Sequence, residues 1–262
     1  MQPTTLCLPL DCQYCYLPFR KVEQRMPIEV AQAVAASVNT WGRDDSRFEV
    51  VWHGGEPLSV GREYLGELMA PFEGVKHSVQ TNAALINDAW CEFLLARNVG
   101  VGVSIDGPED MNTRRVNRGG RPAHRVITRG IERLKAHHMP FSAIAVISDP
   151  DPARAARFYE FFVDLGCHSL GVNVEECEGV NAPARVVAPE RIVEFWAALT
   201  EAWEANPIIR LREVSRVLEF AATVLEGASG SVPVVRRWDP LPTIAHDGGV
   251  VILSPELSRF RR

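Results

Sequence analysis

Positive charge is scarce in this chain. Its 262 residues hold 28 Lys and Arg against 33 Asp and Glu, a formal net charge of −5. That balance argues against a general nucleic-acid binder, which needs a basic face. Long apolar runs are also missing: no stretch reaches the roughly 18 residues a membrane span needs, so no membrane partner is expected. The opening "MQPTTLCLPLD" lacks the basic start and apolar stretch of a secretory signal. The expected location is cytoplasmic, where thiols stay reduced. No low-complexity tract and no exact repeat occurs. Against these absences stands an ordinary composition, 46% hydrophobic, with enough apolar mass for a real core. A local basic run, "NTRRVNRGGRPAHR", leaves an anion or peptide site open.

Cysteine is sparse and uneven. Cys7, Cys12 and Cys15 fall close together, Cys91, Cys167 and Cys177 stand alone, and none follows Cys177. The isolated three read as core or surface thiols. In a reducing compartment, clustered cysteines are metal ligands or redox groups more often than disulfides. Three thiolates from one loop can hold three irons of a [4Fe–4S] cluster and leave the fourth iron open. A structural zinc site, a dithiol redox pair and chance clustering are the alternatives. Zinc normally takes four closed ligands, and no second CxxC or His pair follows at finger spacing. A redox pair has no use for Cys7.

Short β-rich runs alternate with amphipathic helical stretches. "FEVVW" (48–52) precedes "REYLGELM", and "KHSVQ" (76–80) precedes "DAWCEFLLAR". "VGVGVSI" (99–105) leads through a long loop to "VITRGIERLKAH". "FSAIAVI" (141–147) precedes "PARAARFYEFFVDLG", and "HSLGVNV" (168–174) follows. With an extended segment before Cys7 and the helix "PIEVAQAVAASVNTW", this predicts about six βα units. Such alternation implies parallel strands with right-handed crossovers, in an open doubly wound sheet or a barrel-like arrangement of six units. In either, chemistry gathers at the carboxyl ends of the strands. The polar motifs sit there: "HGGEP", "QTN", "SIDGP" and the pair Glu175–Glu176. Beyond about 183 the sequence predicts two helices, then a hairpin around Gly248 and Gly249 that reads as the start of a second unit.

Each motif has an ordinary reading beside the functional one. Gly54 and Gly55 let backbone approach a ligand closely, Glu56 offers a carboxylate to a cation, and Pro57 fixes the turn; alone, this is a common turn. Asn82, Ser104 and Asp106 carry groups suited to a ribose and an amino-acid head, yet such residues also cap helices and make Asx turns. Arg115 suits a carboxylate, though a solvated arginine is the default. Glu175 and Glu176 suit catalysis or substrate contact, or else a capped loop.

In combination, "CLPLDCQYCYLP", "HGGEPL", "QTNA" and "SIDGP" resemble the radical S-adenosylmethionine (SAM) superfamily in order and interval. The nearest likeness is to its peptide-modifying branch with a SPASM or twitch domain, which includes anaerobic sulfatase-maturating enzymes and maturases of ribosomal peptides. "NVEECEGVN" and "ILSPEL" look most like the cyclophane-forming maturases. The resemblance implies an α/β fold: a partial (β/α)6 radical SAM barrel over residues 1–182. A short C-terminal extension, 183–262, would be a helical linker and the start of a SPASM/twitch-like region lacking cysteines. It implies cluster ligation by Cys7, Cys12 and Cys15, with Tyr14 against the adenine. Gly54, Gly55, Glu56 and Pro57 would receive the amino end of SAM, and Asn82, Ser104 and Asp106 the methionine or ribose. Arg115 would meet the SAM carboxylate, and Glu175 and Glu176 would be catalytic. The implied chemistry is one-electron cleavage of SAM to a 5′-deoxyadenosyl radical that takes a hydrogen from substrate. The partners implied are a precursor peptide and an electron donor such as a flavodoxin or ferredoxin.

Three departures from the family pattern stand out. Four residues separate Cys7 from Cys12 where three are usual. The His–Asp pair often found after "DGP" reads Met111–Asn112. No cysteine follows Cys177 to bind auxiliary clusters, so the chain is either cut short or works without them. The function expected is a peptide maturase forming a side-chain carbon–carbon (cyclophane) crosslink. The alternatives are sulfatase-maturase-like oxidation of a protein Ser or Cys, a non-catalytic SAM- or peptide-binding member, and a structural-zinc protein.

Overall fold

A computed structural model describes residues 1–17, 19–40, 48–176, 180–181, 187–227 and 242–251. Cys177 and the "ILSPEL" stretch lie outside the described residues. Six parallel strands form one sheet: β1 (Glu49–Trp52), β2 (Lys76–Thr81), β3 (Gly100–Ser104), β4 (Phe141–Ile147), β5 (Ser169–Val174) and β6 (Arg210–Leu211), in the order β1-β2-β3-β4-β5-β6. Helices α1 (Ile28–Thr40), α2 (Arg62–Met69), α3 (Asp88–Ala96), α4 (His124–Ala136), α5 (Ala155–Leu165), α6 (Pro189–Ala205) and α7 (Arg212–Gly227) accompany it. Among the described residues β1 does not pair with β6, so the sheet is an open arc rather than a closed barrel.

The alternation has a direct physical cause. β1, β3, β4 and β5 run largely apolar, and α2 to α5 carry buried apolar residues on one helical face. On α4 the buried positions are Ile127, Gly130, Ile131 and Leu134, the three- and four-residue spacing of one stripe. On α5, Phe158 and Phe162 sit edge-on to one another at 5.0 Å, and Phe158 meets Phe195 of α6 at 6.0 Å. These rings are fully buried and carry much of the packing energy of that flank.

Two strand assignments differ from expectation. The segment before Cys7 is not a strand of the main sheet. It lies along the β1 edge instead, where the His53 amide donates to the Met1 carbonyl at 2.9 Å, and Thr4 bridges Arg25. The sixth strand is the two-residue β6, which pairs with β5 through Ser169–Arg210 and Leu170–Leu211. α6 and β6, both beyond the boundary expected at residue 182, pack on the same core and extend the same sheet. The predicted hairpin is present: β7 (Thr243–Ile244) pairs antiparallel with β8 (Val250–Val251). It docks on the N-terminal segment, with the Gln2 amide donating to the Ile244 carbonyl at 2.9 Å. No helix among the described residues is long and apolar enough to cross a membrane.

Candidate functional site

The cysteine loop is fastened by its backbone. The Cys7 amide donates to Arg20, that of Asp11 to Val116 (2.8 Å) and that of Gln13 to Arg114 (3.0 Å). The Asp11 side chain holds Arg20 at 2.7 Å and Lys21 at 3.0 Å. Within the wide Cys7–Cys12 interval Leu10 turns inward, where it is 2% exposed, and its backbone bridges Asn117. The thiols of Cys7 and Cys15 are hydrogen-bonded partners. That contact pulls Cys15 down to about 7, against the opposing effect of burial, and raises Cys7. Burial pushes Cys12 up to about 11 although Arg115 opposes it. Among the described residues no three His, Cys, Asp or Glu side chains converge on a single metal ion.

The turn after β1 abuts this loop without side chains between them. A Cβ on Gly55 would lie 2.4 Å from the Thr4 carbonyl oxygen and 2.8 Å from that of Leu6, and its φ of +67° suits glycine. The Glu56 amide then donates to Leu6 at 2.7 Å. The Glu56 carboxylate, 1% exposed, accepts from the Leu58 amide (3.1 Å), the Thr81 hydroxyl (2.7 Å) and the Asn82 amide (2.8 Å). Burial lifts it to about 7 against those three donors. Glu56 thus ties the end of β1 to the end of β2, and Pro57 opens the short 3₁₀ turn that follows.

A second set of side chains ties the cysteine loop to the ends of β3 and β4. The Tyr14 hydroxyl donates to Asp106 Oδ2 at 2.7 Å, and the Val146 amide donates to Oδ1 at 2.9 Å. Arg115 Nη2 lies 2.9 Å from the same Oδ1, Nη1 lies 4.0 Å from Cys12 Sγ, and the guanidinium sits 5.5 Å from the Tyr14 ring centre. Burial would lower the Arg115 pKa, but the charge of Asp106, with Tyr14 and Cys12 beside it, raises it. Asn112 accepts from the Asp106 amide at 2.9 Å. Asp106, expected to touch a ligand, is a protein-facing anchor.

These elements surround one cavity of about 2050 Å³ at the carboxyl ends of the strands. Of the residues singled out in the sequence, all but Pro57 and Asp106 line it; those two are buried behind it. Glu175 pairs with Arg114 and accepts from Asn181 Nδ2 at 3.1 Å. Gln80, which the sequence reading passed over, also lines the cavity. Its Nε2 donates to Ser104 Oγ at 2.9 Å, and its side chain occupies the space above Gly102. The period of two along a strand carried the signal, because Gln80 and Asn82 must share a face. The donor set fits an open-iron cluster: three soft thiols face one cavity, with a buried arginine beside Cys12.

Known proteins resemble this chain in sequence and in fold. A serine-type anaerobic sulfatase-maturating enzyme of Bacteroides thetaiotaomicron is 32% identical over 65% of this chain and 44% of its own length. An uncharacterized Synechocystis protein is 31% identical over 98% of this chain and 68% of its own. The chain thus spans under half of that maturase and about two thirds of the Synechocystis protein. Among solved structures, native anSMEcpe with bound AdoMet superimposes with a TM-score of 0.78 at 22% identity, over 95% of this chain and 72% of that one. Streptococcus suis SuiB bound to the precursor peptide SuiA gives 0.63 at 16%, over 80% and 47%. The sequence pattern of the Radical SAM superfamily itself matches residues 1–162, well over half of the chain and all of the cysteine loop and strand-end turns, and to that superfamily this protein belongs.

Proposed function

We propose that the chain is a radical SAM enzyme that modifies side chains of a peptide or protein substrate in the cytoplasm. Cys7, Cys12 and Cys15 would hold a [4Fe–4S] cluster, and SAM would lie across the strand ends at the Gly54–Glu56 turn, Asn82 and Ser104. Bound together, cluster and SAM supply one-electron cleavage of a sulfonium and a strong hydrogen-atom abstractor. The chain's own residues do the rest. Glu56, Thr81 and Asn82 hold the strand-end turns rigid. Arg115 places a fixed positive charge next to Cys12 and would meet the carboxylate of SAM. Glu175, held by Arg114 and Asn181, faces the cavity with Glu176 and would contact or deprotonate substrate.

The observation that carries the reading is the single cavity shared by three thiols and the strand-end polar groups. Its volume exceeds the ~300–1,000 Å³ of common small-molecule sites, which leaves room for a polypeptide beside SAM. The crosslink reading draws support from the fold shared with peptide-bound SuiB. Oxidation of a serine or cysteine is equally supported, because named relatives are serine-type and cysteine-type anaerobic sulfatase-maturating enzymes.

The test is anaerobic reconstitution with iron and sulfide, reduction with SAM, and assay for 5′-deoxyadenosine, followed by mass spectrometry of candidate peptides. Crosslinking and serine oxidation each remove two hydrogens, and only the oxidised serine reacts with a hydrazide. A reconstituted, reduced protein that releases no 5′-deoxyadenosine is a binding member, and the enzymatic proposal fails.

A further inference from the structure

The basic segment beside the cysteine loop is left without a role by this chemistry. Between Asp110 and Glu132 the chain carries no acidic residue and six arginines, although its net charge is −5. Two of the six serve the site: Arg114 pairs with Glu175, and Arg115 with Asp106. The other four, Arg118, Arg121, Arg125 and Arg129, are exposed. Arg125 and Arg129 are four apart on α4, hence on one face, and both line a depression of about 510 Å³ with Asn117 and Pro122. Glu109 is the acid whose charge reaches the adjacent His124. Nearby Asp110 is already held by Arg154 and Arg157.

This face is coupled to the cluster loop by backbone. Asp11 and Gln13 donate to the carbonyls of Val116 and Arg114, and Leu10 bridges Asn117. Gln13, next in sequence to Cys12, is exposed. A partner seated on the four arginines would therefore lie beside the loop that carries Cys12. Four exposed positive charges without an ion pair among the described residues attract a negatively charged partner and orient it over long range. The reaction proposed above requires one electron at this loop.

We infer that the face formed by Arg118, Arg121, Arg125 and Arg129 is the docking surface for an acidic one-electron carrier protein. The carrier loses one electron and the cluster on Cys7, Cys12 and Cys15 gains it; no bond is made or broken in that step. The inference rests on the radical SAM reading proposed above.

The experiment compares two reductants on reconstituted protein: a reduced, acidic flavodoxin and dithionite, with 5′-deoxyadenosine as the readout. The fourfold variant R118E/R121E/R125E/R129E should lose at least about tenfold in flavodoxin-driven rate at low salt and nothing in dithionite-driven rate. The milder R118Q/R121Q/R125Q/R129Q should fall between, and added salt should slow the native protein with flavodoxin alone. Unchanged flavodoxin-driven turnover in both variants overturns the inference. So does an equal loss with both reductants in the glutamine variant, which marks a structural role. A loss confined to peptide modification also overturns it and assigns the face to an acidic substrate. If the native protein is silent with dithionite, the radical SAM reading has failed rather than the docking surface.

Discussion

Arg115 and Asp106 meet in a buried ion pair behind the cysteine loop, Nη2 to Oδ1 at 2.9 Å, with side-chain exposures of 7% and 2%. Neither charge has solvent to fall back on, and Tyr14 and the Val146 amide complete the coordination of the carboxylate. Removing one partner strands the other in low dielectric, a cost of about 3–5 kcal/mol. R115M should lower the stability of the metal-free protein by that amount in urea denaturation. Y14F, which removes one hydrogen bond to a charged group, should cost about 1.5–3 kcal/mol. A wild-type midpoint in R115M would show that the pair does not hold the loop.

At Gly55 the turn after β1 approaches the backbone leading into the cysteine loop too closely for a Cβ. G55A should fail to retain iron after reconstitution, measured by iron content per chain and the visible absorbance of the cluster. Gly74 supplies the control: its φ is +76°, but nothing lies within 4 Å of a Cβ there. G74A should cost only the backbone strain of about 1 kcal/mol and keep its iron. Equal iron retention in the two variants would remove the close approach as the cause.

His77 gives the fold a pH dependence distant from the thiols. The Trp52 indole N–H donates to His77 Nδ1 at 3.1 Å, which requires that nitrogen to be unprotonated. Burial lowers the His77 pKa, with Glu49 opposing. A histidine depressed in the folded state binds its proton more readily when unfolded. Its stabilising contribution is therefore full above the ordinary imidazole value of 6.5 and is lost as pH falls below it. Thermal denaturation of wild type should weaken across that interval, and H77Q should flatten the slope. An unchanged slope in H77Q would assign the acid sensitivity elsewhere.

Glu175 separates binding from chemistry. It follows β5, outside the cysteine loop and the turns after β1, β2 and β3, but faces the same cavity. E175Q should leave 5′-deoxyadenosine release without peptide within about twofold of wild type while slowing peptide modification about a hundredfold, the usual scale for a positioned acid or base. A parallel loss in both assays would place Glu175 with SAM rather than with substrate.

Much of this site could be read before folding because its motifs follow strands, and strands with a period of two are legible in sequence. β4, with alternate residues buried from Phe141 to Ile147, is the plainest case. β6 was not legible: two residues, Arg210 and Leu211, carry no periodicity and become a strand only because β5 offers an unpaired edge. Partner choice was hidden for a similar reason. Glu56 and Asp106 look like ligand contacts in isolation, and only the packed structure shows their oxygens occupied by Thr81, Asn82, Tyr14 and Arg115.

The strand order has a consequence for how the protein is made. Each strand of the sheet pairs with the one synthesised just before it, so every pairing closes over a short stretch of chain, where the entropic cost of closure is small. The sheet can grow unit by unit as the polypeptide leaves the ribosome. Gln2 is the exception. Its hydrogen bond to Ile244 spans nearly the whole described chain, so the outer side of the segment that lines β1 stays exposed until the hairpin has been made.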